Sequence, residues 1–220
     1  MLRPQLAPRL RGIEQADSIA FDFHKWLQVP YDAGFLVVRD RQLHLRTFAT
    51  HEGTYLSRGE RGMAAGSPWP CDFGPDLSRG FRALKTWFTI EVYGTERLGG
   101  MIAHTCALAQ ELARRIDAEP ELEILAPPSL NIVCFRFIGT GLDAHGAIEQ
   151  VNRDLVVALQ ESGVAAPSST VLDGRFAIRV ALFNHRSTER DIDVLLGATL
   201  ALGRSLSAPL SIPEASDLTQ

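Results

Sequence analysis

The chain has 220 residues, 22 Lys and Arg against 26 Asp and Glu, a formal charge of −4 and 45% hydrophobic residues. This excludes a disordered or fibrous chain and offers no basic bias toward nucleic acid. No apolar run reaches the roughly 18 residues of a membrane span, and the first six residues lack the apolar stretch of a secretory signal. Cys71, Cys106 and Cys134 fit neither a zinc pattern nor a disulfide framework, so reduced thiols in a cytoplasmic setting and no metal are expected.

Residues 1–16 read as a helix tail or a loop. Residues 18–23 alternate apolar positions and predict a short strand that runs straight into His24-Lys25-Trp26. Gly34-Phe35-Leu36-Val37-Val38, flanked by turn residues, predicts a buried strand. Residues 50–76 are rich in Gly, Ser, Pro and charge, the composition of a long functional loop. From Leu77 the apolar spacing turns helical through Phe81, Leu84, Phe88 and Val92. Gly94 predicts a stop, and a second helix follows from Thr95 to about Ala118. The remainder predicts a small α/β unit: a strand over 130–137, a helix over 143–162 with Asp143 as a candidate N-cap, a strand over 176–182 and a helix over 188–206. The boundary between the two parts is expected near residues 93–100.

Twenty of the 22 cationic residues are arginines, and the two lysines are Lys25 and Lys85. Only lysine carries an amine that loses its proton and attacks a carbonyl. Lys25 ends a strand between two aromatic rings, a place for an amine partly desolvated over a site. The tripeptide alone also fits a surface lysine at a strand end. His51, His104, His145 and His185 show no metal-ligand spacing.

Three segments carry a resemblance. Asp17-Ser18-Ile19-Ala20-Phe21-Asp22-Phe23-His24-Lys25-Trp26, with Pro30-Tyr31-Asp32-Ala33-Gly34 after it, resembles the active-site segment of the group II pyridoxal-phosphate-dependent amino acid decarboxylases. This is the family of the aromatic-L-amino-acid, histidine and glutamate decarboxylases. Leu77-Ser78-Arg79-Gly80-Phe81-Arg82-Ala83-Leu84-Lys85-Thr86-Trp87-Phe88 resembles its Ser-Arg-Arg-Phe-Arg-Ala-Leu-Lys helix, with Gly80 in place of the second arginine. Arg175-Phe176-Ala177-Ile178-Arg179-Val180 resembles its late arginine-bearing strand. The likeness runs from about residue 5 to about residue 205 and covers the C-terminal half of the family's length.

The resemblance implies an α/β fold: the C-terminal part of a fold type I (aspartate aminotransferase-like) large domain in residues 1–95, then a small α/β domain in 96–220. It implies pyridoxal 5′-phosphate as cofactor, Lys25 as the Schiff-base lysine, and His24 near the cofactor phosphate. Tyr55 matches the tyrosine of the family's catalytic loop, which protonates the carbanion after carbon dioxide leaves. Arg179 is a candidate for gripping the substrate carboxylate; a salt-bridged strand arginine is the equal alternative. Arg79 and Arg82 are expected to be structural or at a subunit interface. The implied reaction is decarboxylation of an L-amino acid to an amine. Alternatives are a lyase or aldehyde-forming member of the family, a non-catalytic fragment, or one half of a two-chain enzyme. A homodimer is expected for an intact enzyme, because the family's catalytic loop reaches the neighbouring subunit's site. A separate N-terminal partner is the other expectation, because the family's ring-stacking histidine and its acidic partner of the pyridine nitrogen have no counterpart here. Met1 then reads as an internal start, a gene fragment or a split gene.

Overall fold

The computed structural model describes residues 6–48, 58–66, 68–139 and 145–208. The chain divides into two compact units, Met1–Gly100 and Met101–Gln220.

In the first unit, two 3-10 turns, Ala7–Leu10 and Ile13–Gln15, precede β1 (Ser18–Asp22). Strand β1 pairs antiparallel with β2 (Gly34–Val38), with Ser18 opposite Val38 and Phe21 opposite Phe35. Side chains alternate across a strand, so Ile19, Phe21, Phe35 and Val37 share one face and Ala20, Leu36 and Val38 the other. The rings of Phe21, Phe23 and Phe35 lie 4.9–5.2 Å apart, centroid to centroid. Phe21, Phe35, Leu36 and Val37 nonetheless stay 42–48% exposed. A ribbon apolar on both faces is the pattern of strands that are covered on both sides.

Helix α1 (Arg41–Phe48) follows. It is absent from the sequence reading, although Asp40 is an N-cap signal. The Asp40 carboxylate accepts the N–H groups of Gln42 and Leu43 at 2.8 and 2.9 Å. His44 bonds the Phe73 carbonyl through Nε2 at 2.9 Å, tying α1 to a 3-10 turn at Pro70–Phe73. That turn is closed by buried Asp72, which accepts the Trp69 N–H at 2.7 Å and pairs with Arg58. The Arg58 guanidinium lies 3.6 Å over the Trp69 ring.

Helix α2 (Arg82–Asp117) is one run interrupted at Gly94, whose φ of 70° and ψ of 157° are non-helical. Glycine reaches this conformation without a Cβ penalty, so the expected stop and restart appear as a kink.

The second unit is built on a sheet ordered β3-β4-β6-β5, antiparallel throughout. The strands are β3 (Leu122–Ser129), β4 (Ile132–Phe137), β5 (Ser168–Leu172) and β6 (Arg175–Ala181). Helices α3 (His145–Glu161) and α4 (Glu189–Ser207) pack on each other and on the sheet. The core joins Val133, Phe135 and Phe137 of β4 with Phe176, Ile178 and Val180 of β6. Leu112 and Ile116 of α2, Leu155 and Leu159 of α3 and Ile192 and Leu195 of α4 complete it. Strands β3 and β5 are the elements of this unit that the sequence reading lacks. Pro127 and Pro128 disguise β3, which carries register shifts beside them. β5 enters a two-residue turn at Asp173 and Gly174, both at positive φ, the Asp-Gly hairpin signal. Thr188 and Asp191 form the capping box that starts α4; the candidate cap Asp143 lies outside the described residues.

A charge network ties α2 to α4. Glu111 accepts Arg114 and Arg115, and Arg115 also pairs with Glu189 and Asp193. The two guanidiniums hold the Glu111 carboxyl at about 2, well below its ordinary range. A depressed carboxyl stabilises the fold above its unfolded value and loses that contribution as pH falls through the folded one. Urea midpoints measured down from neutral pH should therefore be insensitive to this group until about pH 5 and then fall toward pH 2. Glu111→Gln should flatten that fall; an unchanged acid limb contradicts the assignment.

Candidate active site

The connection between β1 and β2, residues 23–33, presents His24, Lys25 and Trp26. Its conformation is fixed by a short set of bonds. The Lys25 N–H reaches the Asp22 carbonyl at 3.3 Å and the Gln28 N–H reaches the Lys25 carbonyl at 3.2 Å, so the chain turns twice in succession. The Phe23 N–H bonds the Ala33 carbonyl at 2.9 Å and closes the base. Val29 and Ala33 are buried beneath it, at 3% and 2% exposure.

The first turn brings the Asp22 carboxylate to 2.5 Å from Lys25 Nζ. That ammonium holds the Asp22 carboxyl below its usual range, through the hydrogen bond first and then through charge. The Lys25 side chain is 71% exposed. The partial desolvation expected from the sequence is thus not supplied by the described residues, because the turn projects the amine outward from a two-stranded ribbon.

His24 is half-buried. Its Nδ1 accepts the Ala33 N–H at 2.9 Å, so the proton of the neutral ring sits on Nε2. The ring meets Tyr31 edge to face at 4.7 Å. The histidine next to the lysine is therefore oriented by backbone and offers one N–H donor to an incoming acceptor.

Asp32 closes the connection against α2. It accepts Arg82 Nε at 2.9 Å and stands 4.0 Å from Lys85 Nζ. The guanidinium holds the Asp32 carboxyl below its usual range and is itself pushed up. The two lysines of the chain thus bracket one short segment. Sequence reasoning missed Asp22 and Asp32. Asp22 had a signal, a carboxylate three residues before the lysine in a turn. Asp32 had none, since its partner is 50 residues away.

Tyr55 and Arg179 are the remaining candidates. Tyr55 lies outside the described residues. Arg179 belongs to the second unit, on β6 opposite Cys134 and Ser168, and its Nη1 donates to Ser168 Oγ at 3.2 Å. Among the described residues no carboxylate pairs with it, whereas Arg136 of β4 and Arg175 of β6 both pair with Glu123. Arg82 is structural in the sense that it holds Asp32. Among the described residues no group of His, Cys, Asp and Glu is arranged for a metal ion, and no helix is long and apolar enough to cross a membrane.

A primary amine that is exposed and paired with a displaceable carboxylate is accessible for covalent attachment of a carbonyl-bearing cofactor. The His24 N–H fits an anionic group beside it. No acidic side chain suited to a pyridine nitrogen stands out among the described residues of this unit.

Comparison with known proteins gives the same direction. The family described as the pyridoxal-dependent decarboxylase conserved domain matches residues 1–138. The chain is 32% identical to an aromatic-L-amino-acid decarboxylase of Bacillus atrophaeus over 198 residues, covering 90% of this chain and 41% of that protein. It is 35% identical to a histidine decarboxylase of Drosophila melanogaster over 190 residues, covering 86% of this chain and 21% of that protein. Among solved structures, a tryptophan decarboxylase of Catharanthus roseus in complex with L-tryptophan superposes with a TM-score of 0.77 at 26% identity, over 93% of this chain and 42% of that one. The chain spans about two fifths or less of the length of these relatives.

Proposed function

We propose, from the premise that the chain belongs to the pyridoxal-dependent decarboxylase family, that it is the lysine-bearing part of a pyridoxal-phosphate-dependent carboxy-lyase acting on an L-amino acid. The observation that carries this reading is the exposed Lys25 amine beside an oriented His24, on a segment that resembles the family's cofactor site. When bound, pyridoxal phosphate supplies the electron sink for the pair released as the carboxylate leaves.

Each residue has a stated part. Lys25 Nζ, now paired with Asp22, would hold the cofactor covalently. His24, with Nδ1 occupied by the Ala33 N–H, would have its Nε2 proton free to donate to the cofactor's phosphate. Tyr55 delivers a proton to the substrate carbon once carbon dioxide has left; tyrosine rather than phenylalanine there favours amine over aldehyde as product. For Arg179, which donates to Ser168 Oγ on its own sheet, the resemblance alone suggests a part in gripping the substrate carboxylate. The working enzyme is a cytoplasmic homodimer, and its substrate is an amino acid.

One observation favours a second reading, in which this chain acts only together with further polypeptide. Beyond the ribbon residues, Phe81 just before α2 and Trp87, Phe88 and Val92 in its first three turns are 52–75% exposed. Contiguous apolar surface on this scale marks an interaction face. It belongs to the unit with the lysine, and the relatives are more than twice as long.

The test is a titration of the purified chain with pyridoxal phosphate, read as a visible absorbance band that borohydride bleaches. The first reading expects the band with the chain alone. The second expects it only after adding a polypeptide covering the relatives' remaining length. A folded chain that gives no band in either case contradicts both.

A further inference from the structure

We propose that Asp32 is a positioning residue that fastens the Lys25 turn to α2, acting through His24. The proposal rests on the reading of Lys25 as the cofactor lysine.

Residues 23–33 form a long connection on a two-stranded ribbon, and such a ribbon is marginal in isolation. The backbone bonds described above for this connection are internal and local, so they shape it without fixing where it points. Asp32 reaches a different element. Its two oxygens are divided between two cations, Oδ2 accepting Arg82 Nε at 2.9 Å and Oδ1 lying 4.0 Å from Lys85 Nζ. Arg82 and Lys85 are three apart, one turn of helix, and so present their charges on one side of α2. Both lie in the helix's first turns, where the Thr86 hydroxyl donates to the Arg82 carbonyl at 3.2 Å.

The restraint passes to the lysine through one amide. The residue after Asp32 is Ala33, buried at 2% exposure, whose N–H enters His24 Nδ1 at 2.9 Å. Ala33 also accepts the Phe23 N–H at 2.9 Å. The path from Arg82 through Asp32, Ala33 and His24 to Lys25 is therefore continuous in bonds. Displacing Asp32 displaces the acceptor and donor that orient His24, and with them the adjoining lysine.

The pair is half exposed, so its effect is modest: roughly a threefold change in local opening, as for a good surface ion pair. The experiment is hydrogen exchange read by mass spectrometry on the whole chain, for the wild type, Asp32→Asn, and the charge swap Asp32→Arg with Arg82→Asp. The same variants are labelled with pyridoxal phosphate and borohydride. The expected result is about threefold faster exchange in peptides 23–33 and 80–89 together in Asp32→Asn, with β4 and β6 unchanged. Labelling of Lys25 should slow by a similar factor while that of Lys85 does not, and the swap should restore both. Unchanged exchange in 23–33, or a change the swap does not reverse, overturns the proposal. Absence of any Lys25 label in every variant, with and without a polypeptide covering the relatives' remaining length, overturns the cofactor reading instead, and exchange then still decides whether Asp32 fastens the turn.

Discussion

In Asn152→Ala the second unit is expected to lose about 2–4 kcal/mol of stability, as the urea midpoint of the residue 101–208 fold will show. Asn152 is fully buried on α3 and behaves as a piece of backbone inserted at the end of β4. Its Oδ1 accepts the Phe137 N–H at 2.8 Å, and its Nδ2 donates to the carbonyls of Phe137 at 2.7 Å and Ile148 at 2.8 Å. Alanine removes all three bonds and leaves the Phe137 N–H and carbonyl in an apolar core with no water to replace the amide. Each such orphaned group costs about 1–3 kcal/mol, far more than the bond itself contributes net. The ring of the same Phe137 cannot shift to compensate. A Cβ at Gly203 of α4 would stand 2.7–2.9 Å from three atoms of that ring, so helix and ring are already at closest approach. Gln150→Ala, on an exposed face of the same helix, should cost less than about 0.5 kcal/mol. An Asn152→Ala loss as small as that of Gln150→Ala contradicts the account of the β4 end.

The second large effect concerns Lys25. Lys25→Ala should remove the reducible pyridoxal phosphate adduct from the chain's site entirely, leaving the background given by Lys85 and the N-terminal amine. Lys25→Arg separates two contributions that alanine removes together. Arginine keeps the positive charge opposite Asp22, but its guanidinium does not attack a carbonyl. Unfolding of Lys25→Arg should match that of the wild type while its adduct is absent, since an exposed ion pair contributes little. An adduct of wild-type yield in either variant contradicts the assignment of Lys25.

The sequence made the lysine segment legible for a physical reason. His24-Lys25-Trp26 at a strand end is local, and the strand, turn and strand around it follow from alternation and turn residues within about 20 positions. Helix α4, with its capping box at Thr188 and Asp191, was legible on the same grounds. What the sequence hid depends on distance or disguise. Strand β3 contains two prolines, and β5 opens on Ser168, Ser169 and Thr170, so neither carries a clean apolar period. Asp32 looks like an ordinary turn residue until Arg82 folds against it. Asn152 sits in an amphipathic helix as an apparently misplaced amide, and only the tertiary position of Phe137 explains it. The exposure of Lys25 was the reverse case. Partial desolvation was expected from its chemistry, but the described residues leave its side chain 71% exposed.

The central claim is that Lys25, rather than any other amine, is where the cofactor is held. The most direct measurement is to reduce the chain with borohydride in the presence of pyridoxal phosphate and map the label by peptide mass spectrometry, with Lys85 and the N-terminus as internal references. The account predicts that Lys25 carries the label in large excess over both. Equal labelling of the three amines, or label concentrated on Lys85, would contradict it.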